Sequence, residues 1–203
     1  MRLDVSGPVR LPPACPGLRV GLYGGSFNPA HLGHRHVSRV ALRRLRLDRV
    51  WWMVTPGNPL KDRADLASIE ARVAEAQAIA AHPRIVVTAF EDRIGARYTR
   101  QSLRYLVARY PTVRFVWIMG ADSLATFHRW AGFREIADAM PIAIIDRPGF
   151  TLTGPAARAA RVLDRWRIAE TDAGLLPDLD PPAWVFLHGP RSHLSSTALR
   201  ARG

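Results

Sequence analysis

Apolar residues fall in short runs along this chain, and the runs alternate with longer stretches whose apolar positions recur at helical spacing. Six runs read as buried strands: 18–24 (LRVGLYG), 49–56 (RVWWMVTP), 84–90, 113–120, 141–147 and 184–189 (WVFLHG). Each is apolar at consecutive positions, as a strand covered on both faces requires. Between the first two, residues 31–46 bring Leu32, Val37, Val40, Ala41 and Leu45 near one helix face. Further helices are expected at 66–81, 99–110, 133–140 and 154–167, and a last one opens in SSTALRARG at the C-terminus. Residues 169–183 read as loop. No repeat of 20 to 50 residues is visible.

Strands alternating with helices predict an α/β fold: a Rossmann-like, doubly wound parallel sheet with helices on both faces, in a single domain. The Pro-rich segment 1–17 reads as a flexible tail, and 18–203 as the domain. In such sheets ligands bind beyond the carboxyl ends of the strands. The polar motifs richest in chemistry stand at four of those ends: GGSFNPAHLGH (24–34), TPGNPLK (55–61), GADS (120–123) and GPRSHLSSTALR (189–200).

Charge changes this picture little. The formal net charge is +12, but the arginines are scattered along helical stretches and form no single basic run. They read as solvated helix faces, with no nucleic-acid partner implied. Of 29 basic residues only Lys61 is lysine, the drift expected of a GC-rich genome. A lysine kept against that drift suits a place where a compact ammonium fits and a guanidinium does not; chance survival explains it equally well. Cys15 is the single cysteine, which excludes a disulfide framework and suits a reducing cytoplasm. The N-terminus has no signal-peptide core, and no apolar run approaches the roughly 20 residues of a membrane span.

The loop after the first strand carries the sharpest signal. A Gly-rich turn entering a helix suits phosphate, because backbone N–H groups converge at the helix's positive end. Neither a Gly-Lys-Ser/Thr nor a G-x-G-x-x-G is present. What remains is H-x-G-H. His31 and His34 share one helix face, and Gly33 leaves room for a bulky ligand. Two imidazoles there can stabilise charge on a phosphate under displacement. A metal pair is the alternative, without a Cys or acidic ligand beside it, and two ordinary polar turn residues are the plain one. His36 points away and reads as surface.

GGSFNPAHLGH, RYTRQSLRYL (97–106), FVWIMGADSLATFHRW (115–130) and HLSSTALR (193–200) together resemble, in order, the motifs of the bacterial nicotinate-nucleotide adenylyltransferases, within the H-x-G-H nucleotidyltransferase superfamily. The resemblance spans roughly residues 18–202. It implies transfer of AMP from ATP to nicotinate mononucleotide, giving deamido-NAD and pyrophosphate. On that resemblance His34, His31 and Arg200 are catalytic. Gly24, Gly25, Ser26 and Phe27 lend backbone contacts to ATP, and Asn28 and Pro29 shape the turn. Gly120, Ser195, Ser196 and Thr197 complete the ATP site, with Asp122 on the ribose hydroxyls. Ser195 or Ser196 reads equally as a helix cap, Arg200 as a solvated arginine, and Asp122 as an N-cap. Lys61, Tyr98, Thr99 and Trp130 border the mononucleotide, Trp130 by stacking on its ring. The other five tryptophans read as core. Mg²⁺ is expected through the ATP phosphates. Where the family has Pro-Pro-His-Lys, this chain has NPLK, so Leu60 replaces a histidine.

Sister enzymes that use phosphopantetheine or cytidine nucleotides share the H-x-G-H loop, though they usually carry Asp at the position of Asn28. Amidated NMN is the nearest alternative acceptor. An acid-selective pocket needs donors or positive charge and no carboxylate, and residues 95–102 offer Arg97 and Arg100 without an acidic residue. Oligomeric state stays open, a homo-oligomer included.

Overall fold

The structure is a computed structural model, and it describes residues 11–56, 66–151 and 155–189. Six strands form one parallel sheet: β1 (Arg19–Gly25), β2 (Arg49–Val54), β3 (Ile85–Thr88), β4 (Arg114–Gly120), β5 (Ile142–Ile145) and β6 (Trp184–Leu187). Their order is β3-β2-β1-β4-β5-β6, so the winding reverses between β1 and β4. That reversal opens a crevice at the carboxyl ends of those two strands, the usual ligand position in such sheets.

Period-two alternation sorts the core into two layers. Tyr23, Val50, Trp52, Val54 and Ile118 face one side with Val37, Ala41 and Leu42 of α1 (Leu32–Arg44) and Val73 and Ala76 of α2 (Ile69–Ala80). Val20, Leu22, Trp51, Met53 and Trp117 face the other, under α3 (Phe90–Arg93), α4 (Thr99–Arg109), α5 (Ala121–Phe127), α6 (Phe133–Ala139) and α7 (Arg158–Val162). The doubly wound architecture is the one the alternation of elements predicts.

Three stretches differ from the sequence expectation. The helix expected over 154–167 is, in its described part, only α7 and a 3-10 turn at Asp164–Trp166. The indole N–H of Trp184 donates to the Leu163 carbonyl at 2.8 Å, and Ile168 N–H pairs with Trp184 O at 2.9 Å. Pairing with the start of β6 therefore overrides helix propensity, and Trp166 is left half-buried under Arg165 rather than in the core. The expected loop 169–183 contains a 3-10 segment, Glu170–Asp178, that buries Ala173, Leu176 and Pro177. Helix α5 follows β4 without a spacer, because Gly120 both ends the strand and caps the helix.

Of the expected tail, residues 11–17 lie on the domain: Tyr110 OH donates to Pro12 O and Gly17 N–H to Thr112 O. No helix among the described residues is long and apolar enough to cross a membrane.

Candidate active site

The H-x-G-H spacing is first of all a helix start. His31 is the N-cap of α1, and its Nδ1 accepts the Gly33 N–H at 3.1 Å. His34 stands three residues on, and its Nδ1 accepts the His31 N–H at 3.2 Å. The two imidazoles thus form a reciprocal capping box, normally built from Ser/Thr and Glu. With both Nδ1 atoms accepting, each ring carries its proton on Nε2 and offers that N–H as a donor.

Both rings are nearly covered, at 4% and 8% exposure, with centroids 3.8 Å apart. Burial, and after it the nearby Arg147 charge, pushes the His31 pKa down to about 4. Burial, then His31 and Arg147, holds His34 well below the ordinary imidazole range. These are neutral donors, not cations, at physiological pH.

Phe27 braces them. Its ring packs 4.7 Å from His34 and stacks on Trp52 at 5.0 Å. To reach that place its backbone takes φ +47°, a left-handed conformation that costs a non-glycine residue roughly 1–2 kcal/mol. The side chain, as well as the backbone, therefore has work in this loop. Asn28 Oδ1 accepts from Ala67 N–H, which ties the loop to the start of α2.

Two glycines are dictated by neighbours. A Cβ on Gly24 would lie 2.6 Å from the Trp117 indole, and one on Gly120 would lie 2.3 Å from Asp122 Oδ1 and 2.7 Å from Arg147 Nε. Asp122 sits in the first turn of α5 and makes no cap, since Gly120 holds that position. Its carboxylate lies 3.4 Å from Arg147, whose other nitrogen reaches the Tyr23 hydroxyl at 3.2 Å. Its Oδ1 is buried, with an ion contact to Arg147 but no hydrogen bond.

Beside this cluster lies a cavity of about 410 Å³. Gly24, Gly25 and Ser26 form one edge; Tyr98, Thr99, Arg129 and Trp130 form the opposite side. The two histidines are not in its wall. Trp130 stands in the turn between α5 and α6, edge-on to Phe127 and Trp117. Thr99 opens α4, and its N–H has no partner among the described residues. Gln101 Oε1 takes the N–H groups of Arg97 and Tyr98. Arg97 lines the cavity, whereas Arg100 is drawn to Glu135 at 2.8 Å.

The sequence reading missed four residues. Arg147 follows β5, and Glu91 follows β3; the strand-end rule applied to those two ends finds both. Glu91 lies in the cavity wall, so the expectation of a pocket without a carboxylate is corrected. Arg72 of α2 looks like a solvated arginine in the sequence; Trp117 of β4 is core, as expected, but its second place in the cavity wall was not read. Arg72 is 2% exposed and donates to the carbonyls of Ser26 (2.8 Å), Thr55 (2.7 Å) and Ala67 (2.9 Å). Lys61, Ser195, Ser196, Thr197 and Arg200 lie outside the described residues, as does Leu60.

A doubly wound sheet with imidazole donors at its first helix and a carboxylate after its fourth strand defines a nucleotide-handling transferase. A profile of the cytidylyltransferase-like family matches residues 22–202. The chain is 66% identical over 185 residues to a protein of Methylorubrum extorquens named probable nicotinate-nucleotide adenylyltransferase, covering 91% of this chain and all of that one. A protein of Agrobacterium fabrum with the same name is 58% identical over 89% of this chain and 97% of its own. The chain belongs to the nicotinate-nucleotide adenylyltransferase family of cytidylyltransferase-like proteins. The fold is also that of the Plasmodium falciparum nicotinic acid mononucleotide adenylyltransferase, solved with APC and with NaAD. The TM-scores are 0.64 and 0.65 at 17% identity, covering 91% of this chain and 83% of that one.

Proposed function

We propose that this site transfers AMP from ATP to nicotinate mononucleotide, releasing pyrophosphate and deamido-NAD for NAD biosynthesis. The acceptor's own phosphate attacks the α-phosphorus, the new P–O bond replaces the α–β bridge, and pyrophosphate leaves. No protein nucleophile is needed, so catalysis is positioning and charge stabilisation. The observation that carries the reading is the pair of Nε2–H donors fixed at the amino end of α1.

His31 and His34 hold phosphate oxygens of ATP, with backbone contacts from Gly24, Gly25, Ser26 and Phe27. Because both rings are neutral, positive charge comes from elsewhere: Arg147 lies within electrostatic reach of both. Arg200, with Ser195, Ser196 and Thr197, is assigned to the phosphates on the family motif. Asp122, in the first turn of α5 just beyond β4 and with a partly exposed side chain, takes the ribose hydroxyls. The cavity takes the nicotinate moiety, with Trp130 against the ring and the Thr99 N–H at the carboxylate; Tyr98 and Lys61 belong to the same subsite.

Among the described residues no three His, Cys, Asp or Glu side chains cluster as a metal site, and both histidine Nδ1 atoms are engaged. Mg²⁺ is assigned to the ATP phosphates, as the family resemblance implies, where it would neutralise phosphate charge. We place the reaction in the cytoplasm, in keeping with the single cysteine.

The test is pyrophosphate release from ATP with nicotinate mononucleotide, NMN and phosphopantetheine as acceptors. Release with nicotinate mononucleotide, and none with phosphopantetheine, is expected. Release with phosphopantetheine alone overturns the assignment.

A further inference from the structure

Glu91 has no part in the mechanism above, yet it sits in the wall of the acceptor cavity beside Ala96, Arg97, Tyr98 and Thr99. It is 5% exposed. Its Oε1 accepts from the hydroxyl of Ser102, itself fully buried on α4, and its backbone carbonyl accepts from Ala96 N–H at 3.0 Å. Among the described residues it makes no ion pair. Below it β2 offers apolar side chains; around the cavity the charged or titratable groups are Arg97, Tyr98 and Arg129; Asp92 and Arg93 of α3 are exposed.

We propose that Glu91 is a specificity-determining residue of the acceptor cavity, whose protonation sets the preference between an acid and an amide on the acceptor's ring. The inference rests on the proposed function. A protonated carboxyl carries an O–H and can donate to a carboxylate on the ring. An ionised carboxyl only accepts: it repels that carboxylate and suits the N–H donors of a carboxamide. Burial raises the Glu91 pKa to about 7, against a smaller downward pull from Ser102, so both forms are populated near neutrality. A carboxylic acid kept neutral by its apolar setting is an established way to place a donor in a site. It also reconciles a carboxyl in this wall with an acidic substrate.

The experiment is the ratio of kcat/KM for nicotinate mononucleotide to that for NMN, measured from pH 6 to 8.5. Both acceptors carry the same phosphate, so its titration cancels in the ratio. The ratio is expected to fall about tenfold across pH 7, the scale of one hydrogen bond made or left unpaired. In Glu91→Gln it becomes independent of pH. In Ser102→Ala the midpoint moves to higher pH, because the hydroxyl that favours the ionised form is gone; this variant serves if Glu91→Gln fails to fold. A merely structural Glu91 would change both acceptors alike and leave the ratio flat. Turnover of both acceptors at a pH-independent wild-type ratio overturns this inference alone. Turnover of neither overturns the proposed function, and this inference with it.

Discussion

The protons of His31 and His34 are placed by the backbone, and this decides what each ring can contribute. Both Nδ1 atoms are taken up by N–H groups of the first helical turn. Burial then keeps both rings neutral. On this argument His34 acts as an oriented donor and its charge is irrelevant. His34→Ala should lower kcat by roughly 10²–10³-fold, the cost of one preorganised donor. Thermal denaturation should register a smaller loss of about 1 kcal/mol from the cap. His34→Gln keeps an uncharged N–H and should fall between wild type and Ala, whereas His34→Lys should be no better than Ala despite its charge. A Lys variant more active than the Gln variant would mean that positive charge is what the site requires.

At the scale of elements, Arg72 does what no backbone pairing can. It joins the loop after β1, the end of β2 and the segment before α2 through Ser26, Thr55 and Ala67. No carboxylate pairs with it among the described residues, so the three carbonyls satisfy its buried donors. Arg72→Met leaves those carbonyls unmatched and should cost about 1–3 kcal/mol, the penalty of buried acceptors left unpaired. Arg72→Lys should recover only part, because an ammonium lacks the fork that spans three acceptors. KM for ATP should rise in the Lys variant more than kcat falls, and an unchanged melting temperature in Arg72→Met would refute the tether. This contact also shows where sequence reading stops. The strands, α1, α2 and α4 were legible because apolar periodicity is local. The histidine pair and Asp122 stood out as candidates because their motifs stand at strand ends, while Thr99 and Trp130 became candidates only through the family resemblance. Arg72 was not legible: an arginine among many charged neighbours reveals burial only once the chain has folded around it, whereas Glu91 stands just after β3, a strand end the sequence reading passed over. Helix α5 escaped for another reason, since its cap is the last residue of a strand.

For the whole molecule, the same buried groups set opposing pH dependences. His31, at about 4 in the folded protein against an ordinary 6.5, refuses a proton that the unfolded chain binds. His34 is shifted the same way. Their contribution is fully present above pH 6.5 and is lost as pH falls toward 4. Glu91 has the reverse sign. Raised to about 7 from 4.5, it keeps a proton that the unfolded chain releases, so its contribution is full below pH 4.5 and lost as pH rises toward 7. Between 4.5 and 6.5 two histidines oppose one glutamate. The histidines outweigh it, so the protein loses stability on acidification through this window. His82, lowered by burial and by Arg84, Arg35 and Arg39, adds a smaller effect of the same sign from a more exposed position. Stability should therefore peak between pH 6.5 and 7. Removing the opposing group should steepen the acid side: Glu91→Gln is expected to lose up to about 1.4 kcal/mol per pH unit more than wild type between pH 4.5 and 6.5, one proton's worth. Melting temperatures from pH 5 to 8 at constant ionic strength check both statements. A wild-type protein that melts higher at pH 5 than at 6.5 would contradict the neutral histidines. Equal acid slopes in wild type and Glu91→Gln would show that Glu91 is already ionised in the folded chain.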